Sequence, residues 1–223
     1  GNGGASGSIV GPVVNNATFM ITRSDAYTFG GPISGSGMVV QDGTGTTTLT
    51  GANTYAGGTL VARGRLAGNT TSLQGLIQVN AGAALEFAQA SAGTFAGSLT
   101  GAGLFEKTGA GLLTLTGNSN GFTGGTTVRG GELRVNGGLA GSVVTVQSGA
   151  TLSGSGVIGG LIAQSGSTIA PGTSPGTLGV NGNVTLQAGS TTRFEVTASG
   201  PSDLILATGS TLAHRSGCAW RPT

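Results

Sequence analysis

The sequence has 223 residues, of which 47 are glycine and only 7% are charged, against about 7% glycine and about 25% charged residues in ordinary soluble domains. Glycine costs about 1 kcal/mol relative to alanine in a helix interior, and its spread along this chain excludes long helices. An apolar fraction of 37% and a positive mean hydropathy exclude a disordered chain, and a total of six prolines excludes collagen.

The net charge of +2 is local, because Arg215 and Arg221 lie at the end of the chain and the other seven basic residues balance the seven acidic ones. Nucleic-acid binding needs clustered Lys and Arg, so we expect no nucleic-acid partner. Cys218 is the only cysteine, which excludes an internal disulfide. There is no apolar run of the length that a membrane helix needs and no signal peptide at Gly1–Gly7, so we expect a mature secreted fragment without membrane insertion.

The first predicted elements lie in the glycine-free stretch Pro12–Phe29, which is rich in β-favouring residues. A long internal repeat follows, with Gly35–Gly51 aligning with Gly101–Gly117 at an offset of 66. One residue is then inserted, and Tyr55–Leu66 aligns with Phe122–Leu133 at an offset of 67. The sequence is therefore a repeat protein.

A shorter period lies inside the long repeat: a turn glycine followed by a short β run recurs at spacings from 17 to 23. This spacing predicts an all-β fold, a single-stranded parallel β-helix (β-solenoid) with about 20 residues per coil and on the order of 11 coils, roughly 50 Å long. Alternation places side chains on the two sides of each strand. The inward positions are Leu49, Leu113, Leu115, Val144 and Val146, and the outward positions are Thr48, Thr50, Thr114, Thr116, Thr145 and Gln147.

We expect one domain at residues 1–212, with the two repeat copies at about 35–87 and 101–154. The Gly-Ser-Gly stretches at 35–37 and 154–156 are predicted to be corners rather than linkers. Residues 213–223 form a non-repeat tail that holds the chain's only His and only Trp, and we interpret it as a frameshift or truncation. Rereading the coding sequence in the other two frames tests this.

The segments Leu113–Gly117 and Gly124–Leu133 resemble the passenger-associated repeat of bacterial autotransporters, the type V secreted proteins. Gly149–Gly159 and Ala170–Leu178 are similar to the part that follows that repeat, and Asn15–Asp25 is similar to a coil that precedes it. The resemblance covers residues 13–212. It implies a right-handed β-helix passenger, exported to the bacterial cell surface through a C-terminal β-barrel that we expect in the precursor but do not find in this sequence.

Catalytic and cofactor motifs are weak. Gly154–Gly159 matches G-x-G-x-x-G, but the glycine-broken residues after it cannot supply the helix that a dinucleotide site requires. His214 is the only histidine, which argues against a nucleophilic triad with a serine or with Cys218 and against a structural zinc site. We therefore predict no catalytic, cofactor-binding or metal-binding residue, and no cofactor.

Carboxylate pairs are the remaining route to an enzyme, since glycoside chemistry uses two carboxyl groups about 5–10 Å apart. Coil stacking would bring Glu86 close to Glu106, one coil length further along the chain, and more loosely Glu106 close to Glu132. The alternative hypothesis is thus a carbohydrate-active β-helix enzyme of the lyase or hydrolase type, with these carboxylates and arginines in a groove. Isolated carboxylates on a solvated face are the favoured interpretation.

The favoured function is a non-catalytic surface region, a stalk or adhesin scaffold involved in virulence. We expect a monomer at the outer membrane or outside the cell, with host or surface glycans or proteins as partners. Outward threonines at 48, 50, 114 and 116 raise an ice-binding hypothesis, but they recur once per long repeat rather than on every coil. Tyr55 and Phe122 occupy equivalent positions, and we expect them to pack over corners rather than to stack on sugars.

Overall fold

The computed structural model describes residues 3–198, 200–209 and 212–214, and within these every regular element is a β-strand. None of the described residues forms a helix long and apolar enough to cross a membrane. The strands are β1 (Val13–Val14), β2 (Thr18–Ile21), β3 (Ala26–Phe29), β4 (Ile33–Ser34), β5 (Met38–Gln41), β6 (Thr46–Leu49), β7 (Thr59–Val61), β8 (Arg65–Gly68), β9 (Leu76–Val79), β10 (Ala84–Ala88), β11 (Gly93–Phe95), β12 (Ser98–Gly101), β13 (Leu104–Thr108), β14 (Leu112–Leu115), β15 (Thr126–Val128), β16 (Glu132–Val135), β17 (Gly138–Val146), β18 (Thr151–Gly154), β19 (Val157–Ala163), β20 (Thr168–Pro171), β21 (Thr177–Val180), β22 (Val184–Leu186), β23 (Thr191–Thr192), β24 (Leu204–Ala207) and β25 (Leu212–His214).

The solenoid has three faces, each a sheet of parallel strands, and each coil of the chain contributes to the three faces in turn. Face 1 contains β1, β4, β11, β14, β16, β18, β20 and β23. Face 2 contains β2, β5, β7, β9, β12, β21 and β24, and face 3 contains β3, β6, β8, β10, β13, β15, β22 and β25. The long strands β17 and β19 belong to both, because each bends from face 2 into face 3. Each strand pairs in parallel with the strand one coil away, as predicted for a solenoid.

The registers give the length of each coil. On face 3, Arg65 pairs with Ala84 and Ala84 pairs with Leu104, so these two coils are 19 and 20 residues long. Further along, Leu161 pairs with Val184 and Val184 pairs with Leu212, so the last two coils are 23 and 28 residues long. The solenoid has about nine turns. The expectation of 11 coils was too high, because residues 3–12 precede the first strand and the final coils are longer than the earlier ones.

The core is a continuous column of side chains that point into the solenoid. All five predicted inward positions are buried, from Leu49 in one copy of the repeat to Val146 in the other, whereas the predicted outward threonines are partly or fully exposed. Aromatic rings stack along the axis in edge-to-face contacts, with centroid distances of 5.0 Å for Phe87–Phe95, 5.9 Å for Phe87–Phe105 and 6.5 Å for Phe105–Phe122. The alternation read from the sequence is therefore confirmed.

The long repeat does not span a whole number of turns. It contains ten strand positions: β5 to β12, together with residues 53–55 and 69–74, which take the face-1 position in two coils without forming strands. Three positions make one coil, so ten advance the chain by three coils and one further face. Accordingly β5 on face 2 aligns with β13 on face 3, and β6 on face 3 aligns with β14 on face 1. Equivalent residues of the two copies thus lie on different faces.

The two Gly-Ser-Gly stretches are corners, as predicted. Gly35 and Gly154 have φ angles of 99° and 111°, in the left-handed region where a side chain is strained. A Cβ atom at Gly154 would also lie 2.2 Å from the carbonyl oxygen of Val135 in the previous coil. Coil-to-coil spacing at this corner therefore requires glycine.

Candidate functional site

A cluster of charged side chains lies on the outer surface of face 3. Glu86 of β10 and Glu106 of β13 are direct neighbours in the ladder, so the proximity expected from their spacing is confirmed. The Arg65 guanidinium bridges both carboxylates, at 3.0 Å from Glu86 Oε2, and Arg129 donates from Nε to Glu106 Oε1 at 2.9 Å. Thr108 Oγ1 donates to Glu86 Oε1 at 2.7 Å.

The electrostatics of this cluster hold Glu106 ionised. Burial disfavours the charged form, since only 7% of the Glu106 side chain is exposed, but hydrogen bonds and positive charge from Arg129 and Arg65 outweigh it. The pKa of the Glu106 carboxyl consequently lies below its ordinary value. A general acid for glycoside cleavage requires a raised pKa, which is the opposite of the shift at Glu106.

The looser pairing of Glu106 with Glu132 was wrong. Glu106 stacks on Thr127 in face 3, whereas Glu132 stacks between Leu112 and Thr151 in face 1. The physical reason is that the chain between the two glutamates completes one coil and then continues to the next face. The three glutamates therefore do not form one site.

A cleft of about 680 Å³ lies on the outer surface of face 1, towards the C-terminal end of the described residues. Its floor consists of outward side chains from β16, β18 and β20, stacked coil on coil in two columns. Its walls are residues 171–174 and residues 193–195. The lining side chains are those of Glu132, Arg134, Thr151, Ser153, Thr168, Ala170, Pro171, Thr173, Ser174, Arg193, Phe194, Glu195 and Asp203.

Asp203 fixes the two walls relative to each other. Its Oδ1 accepts a hydrogen bond from Gly176 N at 2.8 Å, and its Oδ2 accepts one from Glu195 N at 2.8 Å. The Asp203 amide in turn donates to Glu195 O at 2.9 Å. Ser174 next to the first of these contacts has a φ of 87° and is the one non-glycine residue with positive φ among the described residues. The carboxylate of Asp203 thus acts as a clamp between two loops.

The floor and the wall of the cleft differ in how their charges are paired. On the floor, Glu132 Oε1 accepts from Arg134 at 2.9 Å and from the hydroxyl of Ser153, so these three side chains hold one another in place. On the wall, the side chains of Arg193 and Glu195 have no hydrogen-bond or ion-pair partner among the described residues, and Phe194 between them is 47% exposed. The cleft therefore offers two unpaired charged groups and one exposed ring.

The structure also places the remaining residues that the sequence singled out. The residues after Gly154–Gly156 form strand β19 rather than a helix, so no helix N-terminus faces this motif. Tyr55 and Phe122 are buried at 3% and 0% exposure, which supports packing over corners rather than sugar stacking. Thr48 lies on face 3 and Thr114 on face 1, so they share no flat surface. His214 belongs to β25, and the predicted tail beyond it, with Cys218, lies outside the described residues.

Sequence reasoning missed the cleft. Its floor follows from the coil-to-coil pairing of Glu132 with Thr151 and of Thr151 with Thr168, so a coil-by-coil alignment could have found it. The wall at 193–195 carries no such signal, since it depends on the loop contact through Asp203. Among the described residues, no group of three or more His, Cys, Asp or Glu side chains could hold a metal ion.

Comparison with protein families gives two matches to the passenger-associated-transport-repeat family, at residues 39–67 and 105–135. These ranges lie within the two copies of the long repeat, and they begin in β5 and β13, the strands that align between copies. Comparisons with curated proteins and with solved structures found no significant match. The repeat family and the solenoid together support an autotransporter passenger.

Proposed function

We propose that this chain, a β-solenoid of the autotransporter passenger type with two passenger-associated-transport repeats, serves as a rigid, non-catalytic rod that presents a surface away from the bacterial cell. The observation that carries the proposal is the uninterrupted parallel ladder of face 3, which runs from β3 to β25 through all coils. Its stability comes from contacts between neighbouring coils, as in other solenoids, and such a structure adds length without needing a globular core.

Three features of the chain support export before folding. Its single cysteine leaves no internal disulfide to form, its charged fraction is 7%, and its ladder contacts link residues that are one coil apart in the sequence. Such a chain can fold one coil at a time as it emerges, with each new coil adding to the ladder already formed. We infer a location outside the cell or at the cell surface from the repeat family.

The experiment that tests this function places the chain between a secretion signal and a β-barrel translocator in a Gram-negative host. We expect the chain to reach the surface, where externally added protease removes it from intact cells, and to fold there. Purified chain should show far-UV dichroism of β-structure and small-angle scattering of a rod about 40 Å long, from nine coil steps of about 4.8 Å. Retention in the periplasm, or a compact spherical particle in solution, would contradict the proposal.

The enzyme alternative is tested separately. Its carboxylates Glu86 and Glu106 are bridged by Arg65, which favours a structural role for them. We expect no release of reducing ends or unsaturated products from a panel of polysaccharides. Cleavage of any member that disappears in Glu106→Gln while the folded state is retained would instead establish the enzyme.

A further inference from the structure

We propose that the cleft on face 1 is a binding site for a neutral oligosaccharide that lies along the solenoid axis. This goes beyond a scaffold role, because a rod can present a surface without binding anything itself. The cleft volume of about 680 Å³ falls within the range of about 300–1,000 Å³ that is usual for ligand sites.

The floor sets the direction in which the ligand lies. Glu132, Thr151 and Thr168 are stacked partners in β16, β18 and β20 and form one outward column. Parallel strands lie about 4.8 Å apart, so a carboxylate and two hydroxyls repeat at that spacing along the axis. One sugar residue of an extended glycan has a similar length, and each residue carries hydroxyls that donate and accept hydrogen bonds. A ladder of Glu and Thr side chains can therefore contact successive sugars in register.

The wall supplies the groups that recognise a sugar ring. Phe194 offers an exposed aromatic face, on which the apolar C–H side of a pyranose can stack. Arg193 and Glu195 flank it, and neither side chain has a partner among the described residues. A guanidinium donates two parallel hydrogen bonds and a carboxylate accepts two, so each suits a pair of adjacent hydroxyls.

The charges select against an acidic ligand. Glu132, Glu195 and Asp203 are negative in the cleft, and Arg134 and Arg193 are positive, so its formal net charge is −1. Arg134 is paired with Glu132, and Asp203 accepts from two backbone amides, which leaves Arg193 and Glu195 as one free charge of each sign. An anionic sugar would be attracted by Arg193 and repelled by Glu195. A neutral sugar can form hydrogen bonds with both side chains.

Preorganisation also favours binding at this position. The floor side chains are held by the Glu132–Arg134–Ser153 hydrogen bonds, and the loops are held by Asp203, so binding has to order only the wall side chains. By contrast, the surface of the Arg65–Glu106 cluster has all its carboxylates engaged by arginine or threonine side chains. Unlike that cluster, the cleft has charged side chains, Arg193 and Glu195, whose hydrogen-bonding capacity is unused among the described residues.

Isothermal titration calorimetry with the full chain tests the proposal, using cellotetraose, xylotetraose, chitotetraose and maltotetraose as neutral probes and trigalacturonate as the acidic one. We expect at least one neutral probe to bind and trigalacturonate not to bind. Phe194→Ala and Arg193→Ala should each weaken the affinity by about tenfold or more, which corresponds to about 1.4 kcal/mol. Thr168→Val, which keeps the shape and removes the hydroxyl, should weaken it several-fold.

Arg63→Ala is the matched control, because Arg63 is also an exposed arginine but lies outside the cleft. It should leave binding unchanged, and far-UV dichroism should show that every variant is folded. Absence of binding by all neutral probes, or binding that persists in Phe194→Ala and Arg193→Ala, would overturn the proposal. Preferred binding of trigalacturonate would overturn the neutral class. Surface display of the chain is measured independently, so failure of this proposal leaves the rod function standing.

Discussion

Gln41 and Lys107 occupy equivalent positions in the two repeat copies, and both side chains are fully buried within an inward column. Gln41 donates from Nε2 to the carbonyl oxygen of Gly43 at 2.9 Å, and Lys107 donates from Nζ to Thr108, Gly109 and Gly130 at 2.8–2.9 Å. The same role, closing a turn from the inside, is thus filled on face 2 in one copy and on face 3 in the other.

This equivalence predicts that Lys107→Gln is tolerated better than Lys107→Met. Methionine fills the space but leaves three buried carbonyl groups without their donor, at a cost of about 1–3 kcal/mol in the free energy of unfolding. Burial lowers the pKa of Lys107, so glutamine also avoids burying a charge. Urea denaturation of both variants measures the difference, and equal midpoints would show that the carbonyls do not depend on this donor.

Equivalent residues of the second repeat copy lie one face further around the solenoid than those of the first, and distances between spin labels can test this. Thr46 and Leu104 lie in one column of face 3, three coils apart through Arg65 and Ala84, whereas Leu112, the sequence equivalent of Thr46, lies on face 1. Spin labels at 46 and 104, in a Cys218→Ser background, should be separated by about 14 Å between Cα atoms. Labels at 46 and 112 should be farther apart. A shorter distance for the second pair would mean that the repeat spans whole turns.

The β-solenoid, its alternation and its corners could be predicted because each depends on local pattern: Leu113 and Leu115 alternate with threonines, and Gly35 and Gly154 mark turns. The face on which a residue lies could not be predicted in the same way. Residues 53–55 and 69–74 form the face-1 side of two coils without a strand pattern, held instead by Asn53, which accepts from Ile33 N and donates to Ser72 O. Ignoring them hides two strand positions, and with them the rotation of the second copy by one face.

Glu106 makes stability depend on pH at the acid end. Burial opposes ionisation of Glu106, but Arg129 and Arg65 outweigh it, so its folded-state pKa is lower than its unfolded value near 4.5. The stability that this ion pairing contributes is complete above pH 4.5 and is lost as the pH falls through the lower, folded-state pKa. At pH 7 Glu106→Gln should therefore have a free energy of unfolding about 1–3 kcal/mol below that of the parent and a lower melting temperature, and both differences should narrow in acid.

Asp42→Asn is the control for this measurement. Asp42 also pairs with an arginine, Arg63, but that pair is exposed to solvent and screened, so its loss should leave the melting temperature unchanged. If Glu106→Gln and Asp42→Asn behave alike, the arginines of face 3 do not stabilise the solenoid.

A comparison of two glycines with positive φ distinguishes the cost of backbone strain from the cost of a steric clash. Gly82 has a φ of 81° with no atom within 4 Å of a Cβ, whereas at Gly154 the Cβ would lie 2.2 Å from Val135 O. Gly82→Ala should cost about 1–2 kcal/mol from conformation alone. Gly154→Ala should cost more than this, because the neighbouring coil must also move away. Thermal unfolding ranks the two, and the reverse order would show that the Gly154 corner relaxes freely.

Tyr55 and Phe122 show how the two copies satisfy the same buried hydroxyl. In the first copy, Tyr55 Oη and Thr59 Oγ1 are 2.7 Å apart. In the second, phenylalanine has no hydroxyl to offer, and the equivalent Thr126 is hydrogen-bonded to Ser142 at 2.7 Å, which in turn donates to a backbone carbonyl. Both buried threonine hydroxyls thus have a hydrogen-bond partner. Thr59 bonds to a residue four positions before it in the sequence, and Thr126 bonds to one sixteen positions after it.

Tyr55→Phe should therefore cost about 1–2 kcal/mol, since it leaves the Thr59 hydroxyl buried without this partner. Adding Thr59→Val removes the orphaned hydroxyl and should recover part of the loss, although the hydrogen bond of the Tyr55 hydroxyl with the Gln74 backbone stays broken, so the double variant is more stable than the sum of the single changes predicts. Thr126→Val together with Ser142→Ala provides the matching cycle in the second copy. Strict additivity in the Tyr55–Thr59 cycle would show that the two hydroxyls are not coupled, and that the aromatic ring alone accounts for the geometry that the two copies share.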